Sequence, residues 1–382
     1  MVTATGAPTV SVICPTHNRS TAILPTIASV RAQTFRDWQL VVVSDGSTDD
    51  TDAVVAEIAR ADDRVLFARI DHHGHPSPAR NAGIDLTDGP IVAYLDHDDR
   101  WHPEHLQRVV DVVTAGADLV ATGGRYVDTA GATTFATSAG NAVWHPEMQL
   151  LGPMFEPSRF AHRRDLLARC GPWKSGPGVE DWDLLLRMSD AGARVATLAG
   201  RTVDMLTSTS ARRGRILLRH HIPLATFATA RLARAAADRL TAPDATRALH
   251  AAYTADVTAW FDRLRDDPRL VLPLDADADV ALDDLRRTRH DPVDLGPLAV
   301  VADRGRYSVA QPVACVTADH AARITAAAQT IRTHHRRVIA DLCGDLDTTT
   351  PEPAVRPAPL RATHVHPGRR LQPAVGSITK ER

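Results

Sequence analysis

Four short stretches of the chain are almost continuously apolar and end in polar turns: Val10–Cys14, Gln39–Ser44, Val65–Ile70 and Ile91–Leu95. Runs of this length, without alternation, suit strands buried on both faces. Between them, Thr21–Gln33, Thr48–Ala61 and Pro78–Leu86 carry helical spacing, and Ser47 or Thr48 is placed to cap the second. Strand and helix alternating at this interval predict an α/β fold with a mostly parallel sheet flanked by helices. Ligands of such sheets sit beyond the carboxyl ends of the strands. The polar clusters Pro15–Arg19, Asp45–Ser47 and Asp96–Asp99 follow those ends.

From about Met205 the texture changes. Met205–Ala237 holds six arginines, at 212, 213, 215, 219, 231 and 234, and no acidic residue. Ala/Arg/Asp-rich sequence with helical character then continues to about Leu346, with an acidic stretch at Asp275–Asp284. After Thr348 the chain is rich in Pro, Thr and Arg and lacks periodicity, as a disordered tail would. The expected organisation is therefore a catalytic domain over 1–205, a mainly helical region over 206–348 and a tail over 349–382. The arginine cluster has three readings: a solvated helix face, a cover for a diphosphate, or contact with an anionic membrane surface.

The chain of 382 residues is 44 % hydrophobic, enough for a large core. A net charge of −2 provides no global field for recruiting nucleic acid. Cys14, Cys170, Cys315 and Cys343 are widely scattered and show no zinc-ligand spacing. The first residues lack the features of a secretory signal, and no apolar run approaches the ~20 residues of a membrane span. These features are those expected of a cytoplasmic protein, with peripheral membrane contact left open by the arginines.

Asp96-His97-Asp98-Asp99 closes an apolar strand. Carboxylates at i and i+2 there can hold a hard divalent cation that also binds phosphate oxygens; an acidic turn before the next helix is the plainer alternative. Asp45, in Asp45-Gly46-Ser47, can accept from a base N–H or a ribose hydroxyl, or can simply make an Asp-Gly turn. Glu180-Asp181 opens a segment with an apolar face at Leu184, Leu185, Leu186 and Met188, after the irregular Gly176-Pro177-Gly178. Those two carboxylates can face a cleft or merely complement a helix dipole. Asp71–His75 looks metal-like but reads as loop composition.

Taken in order, Pro15-Thr16-His17-Asn18-Arg19, Ser44–Thr51, Pro78-Ala79-Arg80-Asn81-Ala82-Gly83-Ile84, Tyr94–Asp99 and Gly171-Pro172-Trp173 with Glu180–Arg187 resemble the family 2 glycosyltransferases of GT-A fold, over roughly residues 9–205. The resemblance implies a Rossmann-like domain and an inverting hexosyltransferase that uses a nucleotide-sugar donor, UDP-linked by preference, with Mn²⁺ or Mg²⁺. It sets Pro15, Thr16 and Asn18 beside the nucleotide, Asp45 on the uracil or ribose, and Arg80 near base and phosphates. Asp96 and Asp98 match the metal motif, Asp98 as the direct ligand, with Asp99 sharing or supporting that task. Asp181 matches the general base, and Glu180 would help place a glycan, lipid-linked or small-molecule acceptor. The QxxRW motif of processive members is absent, which favours a single transfer. No His follows the Glu-Asp helix until His220 and His221. A sugar nucleotidyltransferase and a non-catalytic relative are the alternatives; the first lacks its Gly-rich loop here, and intact Asp45, Asp98 and Asp181 speak against the second.

Overall fold

The computed structural model describes residues 8–175, 179–207, 219–288, 298–314 and 317–346. Two compact units divide the chain: Met1–Arg212 with Val271–Leu285, and Arg213–Leu270 with Arg286–Arg382. The first is thus completed by a segment that returns from beyond residue 270.

The first unit is built on one nine-stranded sheet. Its first four strands are β1 (Val10–Thr16), β2 (Trp38–Asp45), β3 (Val65–Ile70) and β4 (Ile91–Tyr94), all parallel in the order β3-β2-β1-β4. Helices α1 (Ile23–Arg31), α2 (Thr51–Ala61) and α3 (Pro76–Asp85) form the crossovers. Beyond β4 the sheet becomes mixed. The two-residue β5 (Arg100–Trp101) is at its far edge and α4 (His105–Thr114) follows it. β6 (Leu119–Val127) pairs with β7 (Thr133–Ala136), antiparallel. After α5 (Pro146–Leu151), β8 (Phe160–Arg163) runs antiparallel between β4 and β6. After α6 (Asp165–Cys170) and α7 (Glu180–Asp190), β9 (Val195–Leu206) lies parallel to β6 and takes β5 on its other side.

The apolar runs form strands because both of their faces are covered. Val41, Val42 and Val43 are all fully buried, as are Val12, Ile13 and Cys14 beside them. Gly83 on α3 permits a close approach there, since a Cβ would meet Ile13 Cγ2 at 2.7 Å. That approach fixes where Arg80, one turn earlier, enters the interior. The second crossover helix starts later than its capping pattern predicts. Ser47 instead bonds to Ser44 Oγ and the Asn18 backbone, while Asp49 accepts from Thr51.

The return segment Val271–Leu285 adds a backbone pair between Val271 and Trp144, and Asp275 accepts from the backbone of Ala199 (2.6 Å) and Gly200 (3.0 Å). Asp284 accepts from Gly140 N at 2.7 Å.

The second unit is mainly helical, as expected, and also contains an antiparallel three-stranded sheet. Its strands are β10 (Arg219–Phe227), β11 (Ala299–Asp303) and β12 (Arg306–Ala314), in the order β10-β12-β11. Helices α8 (Ala230–Leu240), α9 (Pro243–Arg265), α11 (Ala318–Ile331) and α12 (Thr333–Cys343) accompany it, while α10 (Ala278–Thr288), between α9 and β11, begins in the segment that returns to the first unit. Phe227, Leu240, Leu249, Val309 and Ile339 belong to its core. His220 is bonded through Nε2 to Thr325 Oγ1 at 2.7 Å within this unit. Arg231 and Arg234 are exposed on α8, whereas Arg212, Arg213, Arg215, the Gly176-Pro177-Gly178 loop and the tail lie outside the described residues. No described helix is long and apolar enough to cross a membrane.

Candidate active site

The polar residues that follow the parallel strands are tied together by backbone geometry. Pro15 and Thr16 end β1 and are buried. Asn18 takes a left-handed conformation (φ 51°), which Asn tolerates better than most residues. Its Oδ1 accepts from Thr48 N at 2.8 Å, and its own N–H donates to Ser47 Oγ at 3.1 Å. Asn18 therefore clasps the loop after β2.

Asp45 ends β2, almost fully buried. Its carboxylate accepts from His73 N (2.7 Å) and Gly74 N (2.9 Å), so it organises the His-rich loop 71–75. His17 and His72 each place Nδ1 2.8 Å from the Asp45 carbonyl oxygen, and their rings stack 4.3 Å apart. Gly46 has φ 65°, and a Cβ there would come within 2.8 Å of His72 Cβ. Only glycine satisfies both demands. The Asp71–His75 loop, read from sequence as unremarkable composition, is thus the partner of Asp45.

After β4 the chain turns sharply through Asp96-His97-Asp98-Asp99. The Asp99 N–H donates to the Asp96 carbonyl at 3.1 Å, and the Asp96 N–H donates to Ser158 Oγ at 3.0 Å. Asp99 is buried and both its oxygens are engaged: Oδ2 accepts from Ser158 Oγ (2.6 Å) and Oδ1 from Leu206 N (3.1 Å). Burial, together with the charges of Asp96 and Asp98, drives its pKa well above the carboxylate range. Asp99 thus braces the turn through both of its carboxylate oxygens. Asp96 and Asp98 remain partly exposed.

Arg80 joins this turn to the Glu-Asp segment. Its side chain is only 2 % exposed, donating from Nη2 to Asp96 Oδ1 at 2.8 Å and from Nη1 to Glu180 Oε1 at 3.3 Å. The guanidinium lies 4.3 Å from the centre of the Trp173 ring. Trp173 is in turn fixed by two hydrogen bonds between its backbone and the Asn81 amide, 2.8 and 3.0 Å. Burial opposes the charge of Arg80, but Asp96 and Glu180 outweigh it and its pKa stands above the ordinary value. Motifs separated by about a hundred residues thus meet on one buried cation.

Helix α7 begins at Glu180, immediately after Val179 in a left-handed conformation (φ 58°), which is strained for a β-branched residue. Asp181 Oδ1 accepts from Trp182 N at 2.8 Å. Burial first, then the neighbouring Glu180 charge, push its pKa up to about 7, although the Trp182 N–H and Arg80 pull the other way. The residue keeps some solvent access and is not part of the apolar core. Asp183 is different: it is buried and ion-paired with Arg187 one turn on (2.6 Å). Trp182 Nε1 donates to Gln149 O at 2.6 Å and anchors the start of α7 against α5.

Ser158, Glu156, Arg159 and Tyr126 were not anticipated. Periodicity does not mark them: Glu156, Ser158 and Arg159 arrive on the approach to β8, which pairs antiparallel beside β4, and Tyr126 stands on β6. Among the described residues no three His, Cys, Asp or Glu side chains form a ready metal cluster. Two partly exposed carboxylates, Asp96 and Asp98, do fit Mg²⁺ or Mn²⁺, which characteristically uses one or two carboxylates together with substrate phosphates.

The family model described as Glycosyl transferase family 2 matches residues 11–164. An uncharacterized protein of Sinorhizobium fredii is 32 % identical over 185 residues, covering 47 % of this chain and 20 % of that protein. A putative teichuronic acid biosynthesis glycosyltransferase of Bacillus subtilis is 32 % identical over 104 residues, 27 % of this chain and 41 % of the relative. A GalNAc(5)-diNAcBac-PP-undecaprenol beta-1,3-glucosyltransferase of Campylobacter jejuni is 38 % identical over 93 residues, 24 % and 30 % of the two chains. The chain therefore spans between a fifth and about two fifths of the length of these relatives. Among solved structures, S. aureus TarS in complex with UDP-GlcNAc aligns with a TM-score of 0.47 and 20 % identity, over 53 % of this chain and 60 % of that one. The mannosyltransferase PcManGT of Pyrobaculum calidifontis, in complex with GDP-Man and Mn²⁺, aligns at 0.44 and 21 %, over 55 % and 62 %.

Proposed function

We propose that this chain, which belongs to glycosyltransferase family 2, moves one sugar from a nucleoside diphosphate donor to an acceptor hydroxyl, with a divalent metal and with inversion. The observation that carries the reading is the Arg80 bridge, which holds the Asp96–Asp99 turn and Glu180-Asp181 on opposite sides of one guanidinium. A donor-side metal motif and an acceptor-side base at such proximity are what a direct displacement needs.

In this reading Asp181 takes the proton of the acceptor hydroxyl as its oxygen bonds to the anomeric carbon. The bond from that carbon to the phosphate oxygen breaks, and the nucleoside diphosphate departs. A base with a pKa near the working pH is well matched to this task. Asp98 and Asp96 would hold Mn²⁺ or Mg²⁺, which supplies electrostatic stabilisation of the diphosphate leaving group. Arg80 sets the relative positions of Asp96 and Glu180, and Asp99 with Ser158 stiffens the turn that presents the two ligands. Pro15, Thr16 and Asn18 form the nucleotide side. Asp45 has lone pairs beyond the two backbone N–H groups it already accepts, so it can take a pyrimidine N3–H or a ribose hydroxyl. A UDP-sugar is the proposed donor. A lipid-linked glycan is the proposed acceptor, in keeping with the undecaprenol diphosphate named for the Campylobacter relative.

The test is release of UDP from a panel of UDP-sugars with and without Mn²⁺, alongside UDP affinity of Asp98→Ala. Metal-stimulated UDP release, with metal-dependent affinity lost in the variant, is expected. Pyrophosphate exchange in place of UDP release would instead identify a nucleotidyltransferase. Unchanged UDP affinity of Asp98→Ala in Mn²⁺ would remove Asp98 from the metal site.

A further inference from the structure

Of the segment Glu156–Arg159, only Ser158 has entered the site described so far. Ser158 ties it to the Asp96–Asp99 turn through two hydrogen bonds. Next to it, Glu156 is gripped from two sides. The Tyr126 hydroxyl donates to Oε1, and Arg159 Nη1 donates to Oε2 at 2.9 Å. Arg159 is itself immobilised, 4 % exposed, with Nε donating to the Thr122 carbonyl at 2.8 Å. Burial raises the Glu156 pKa, but Arg159 and the Tyr126 hydrogen bond more than reverse it, so the carboxylate stays ionised below its usual range.

Holding a carboxylate this firmly is unusual for a merely structural surface residue. Glu156 keeps 28 % of its side-chain surface exposed, so a ligand can reach it. Its charge acts on Asp181, as do those of Glu180 and Arg80. Each carboxylate oxygen has received one donor and retains a lone pair for another. Both guanidiniums here are ion-paired, Arg80 to Asp96 and Glu180 and Arg159 to Glu156, and their unpartnered nitrogens, Arg80 Nε and Arg159 Nη2, are buried away from a ligand. This part of the site therefore has spare acceptors and an excess of negative charge, a combination suited to the hydroxyls of an uncharged sugar and unfavourable to an anionic one.

Resting on the transfer reaction proposed above, we propose that Glu156 is an acceptor-binding residue: it accepts a hydrogen bond from a hydroxyl of a neutral sugar acceptor and thereby sets the neighbouring hydroxyl against Asp181. Tyr126 and Arg159 are its positioning residues.

The experiment measures transfer from UDP-glucose and UDP-GlcNAc, in Mn²⁺, to octyl glycosides of glucose, galactose and N-acetylglucosamine and to octyl glucuronide. Donor hydrolysis is followed in parallel across pH. Glu156→Gln should raise the KM for the neutral glycoside about tenfold or more, the loss expected for one charge-assisted hydrogen bond, while donor KM stays put. Its hydrolysis profile should also shift its acid limb to lower pH, because a negative neighbour of Asp181 is gone. Tyr126→Phe, which deletes one oxygen, should give a smaller acceptor KM increase. An unchanged acceptor KM with an unmoved acid limb overturns the proposal, and preference for the glucuronide overturns the neutral-sugar assignment. Should the wild type hydrolyse donor but use none of the neutral glycosides, the neutral-sugar role of Glu156 is overturned. Absence of both activities in the wild type sinks the transfer reading itself, and the role of Glu156 with it.

Discussion

Replacing Asp181 by Asn separates a catalytic carboxylate from a helix-capping one through stability as well as rate. The Asp181 pKa is raised from 3.8 to about 7, so between those values the folded protein holds a proton that the unfolded chain has released. Stability from this group is fully present below the unfolded pKa and is lost as pH rises through the folded one. A rise of about three pKa units has a ceiling of about 4 kcal/mol at 1.36 kcal/mol per unit. The partial exposure of the residue and the shared charge of Glu180 reduce that to about 2 kcal/mol. Asn cannot ionise, yet its side-chain oxygen can still accept from Trp182 N, which Asp181 holds at 2.8 Å. The variant should therefore match the wild type near pH 4 and become the more stable protein near pH 8. A melting-point advantage of roughly 4–8 °C is expected there, from about 2–4 °C per kcal/mol for a unit of this size. Transfer should meanwhile fall about 10²–10⁴-fold, with wild-type activity rising through pH 7. Differential scanning calorimetry from pH 4 to pH 8 is the assay. A uniform loss of stability at every pH would mean that Asp181 only caps α7, and near-normal turnover would remove it from the chemistry.

Other perturbations probe the supports of the site. Arg80→Met leaves Asp96 and Glu180 without their cation; removal of one buried partner costs about 3–5 kcal/mol, and since both carboxylates touch solvent, the lower end should appear in urea melts together with weakened nucleotide binding. Gly46→Ala introduces a Cβ within 2.8 Å of His72 at φ 65°, so it should destabilise by more than about 1 kcal/mol and disturb donor affinity before acceptor KM. Val179→Gly relieves a left-handed β-branched residue; chemical denaturation should show a gain of about 1 kcal/mol, and transfer should decline if the strain helps to present Asp181.

The parallel half of the first sheet was legible because continuous apolar runs such as Val41–Val43 have one economical fate, burial on both faces. The strand ends then pointed to Asp45 and Asp96–Asp99 without any knowledge of their partners. What those carboxylates touch was not legible, since each partner arrives by tertiary packing. Asp99 is occupied by Ser158 from the approach to β8 and by Leu206 at the end of β9, and no local pattern near residue 99 encodes either. The two carboxylates and the indole around Arg80 likewise come from separate parts of the chain. In the second unit, prolines concealed the strands. Pro223 sits at a register shift in β10, and Pro312 lies on the stretch of β12 beyond the reach of β11, positions where a missing N–H interrupts few ladder bonds.

The returning segment Val271–Leu285 constrains the order in which the chain can finish folding during synthesis. Domains usually settle as units while the ribosome is still working, N-terminal ones first. Here the parallel strands can pair early, but the backbone of Trp144, Ala199 and Gly200 waits for Val271 and Asp275, and that of Gly140 waits for Asp284. Over that interval α8 and α9 are already made, so the second unit begins to assemble before the first has closed. A chain cut after Arg212 would keep Asp45, Arg80, Asp98 and Asp181, yet leave those backbone groups facing water.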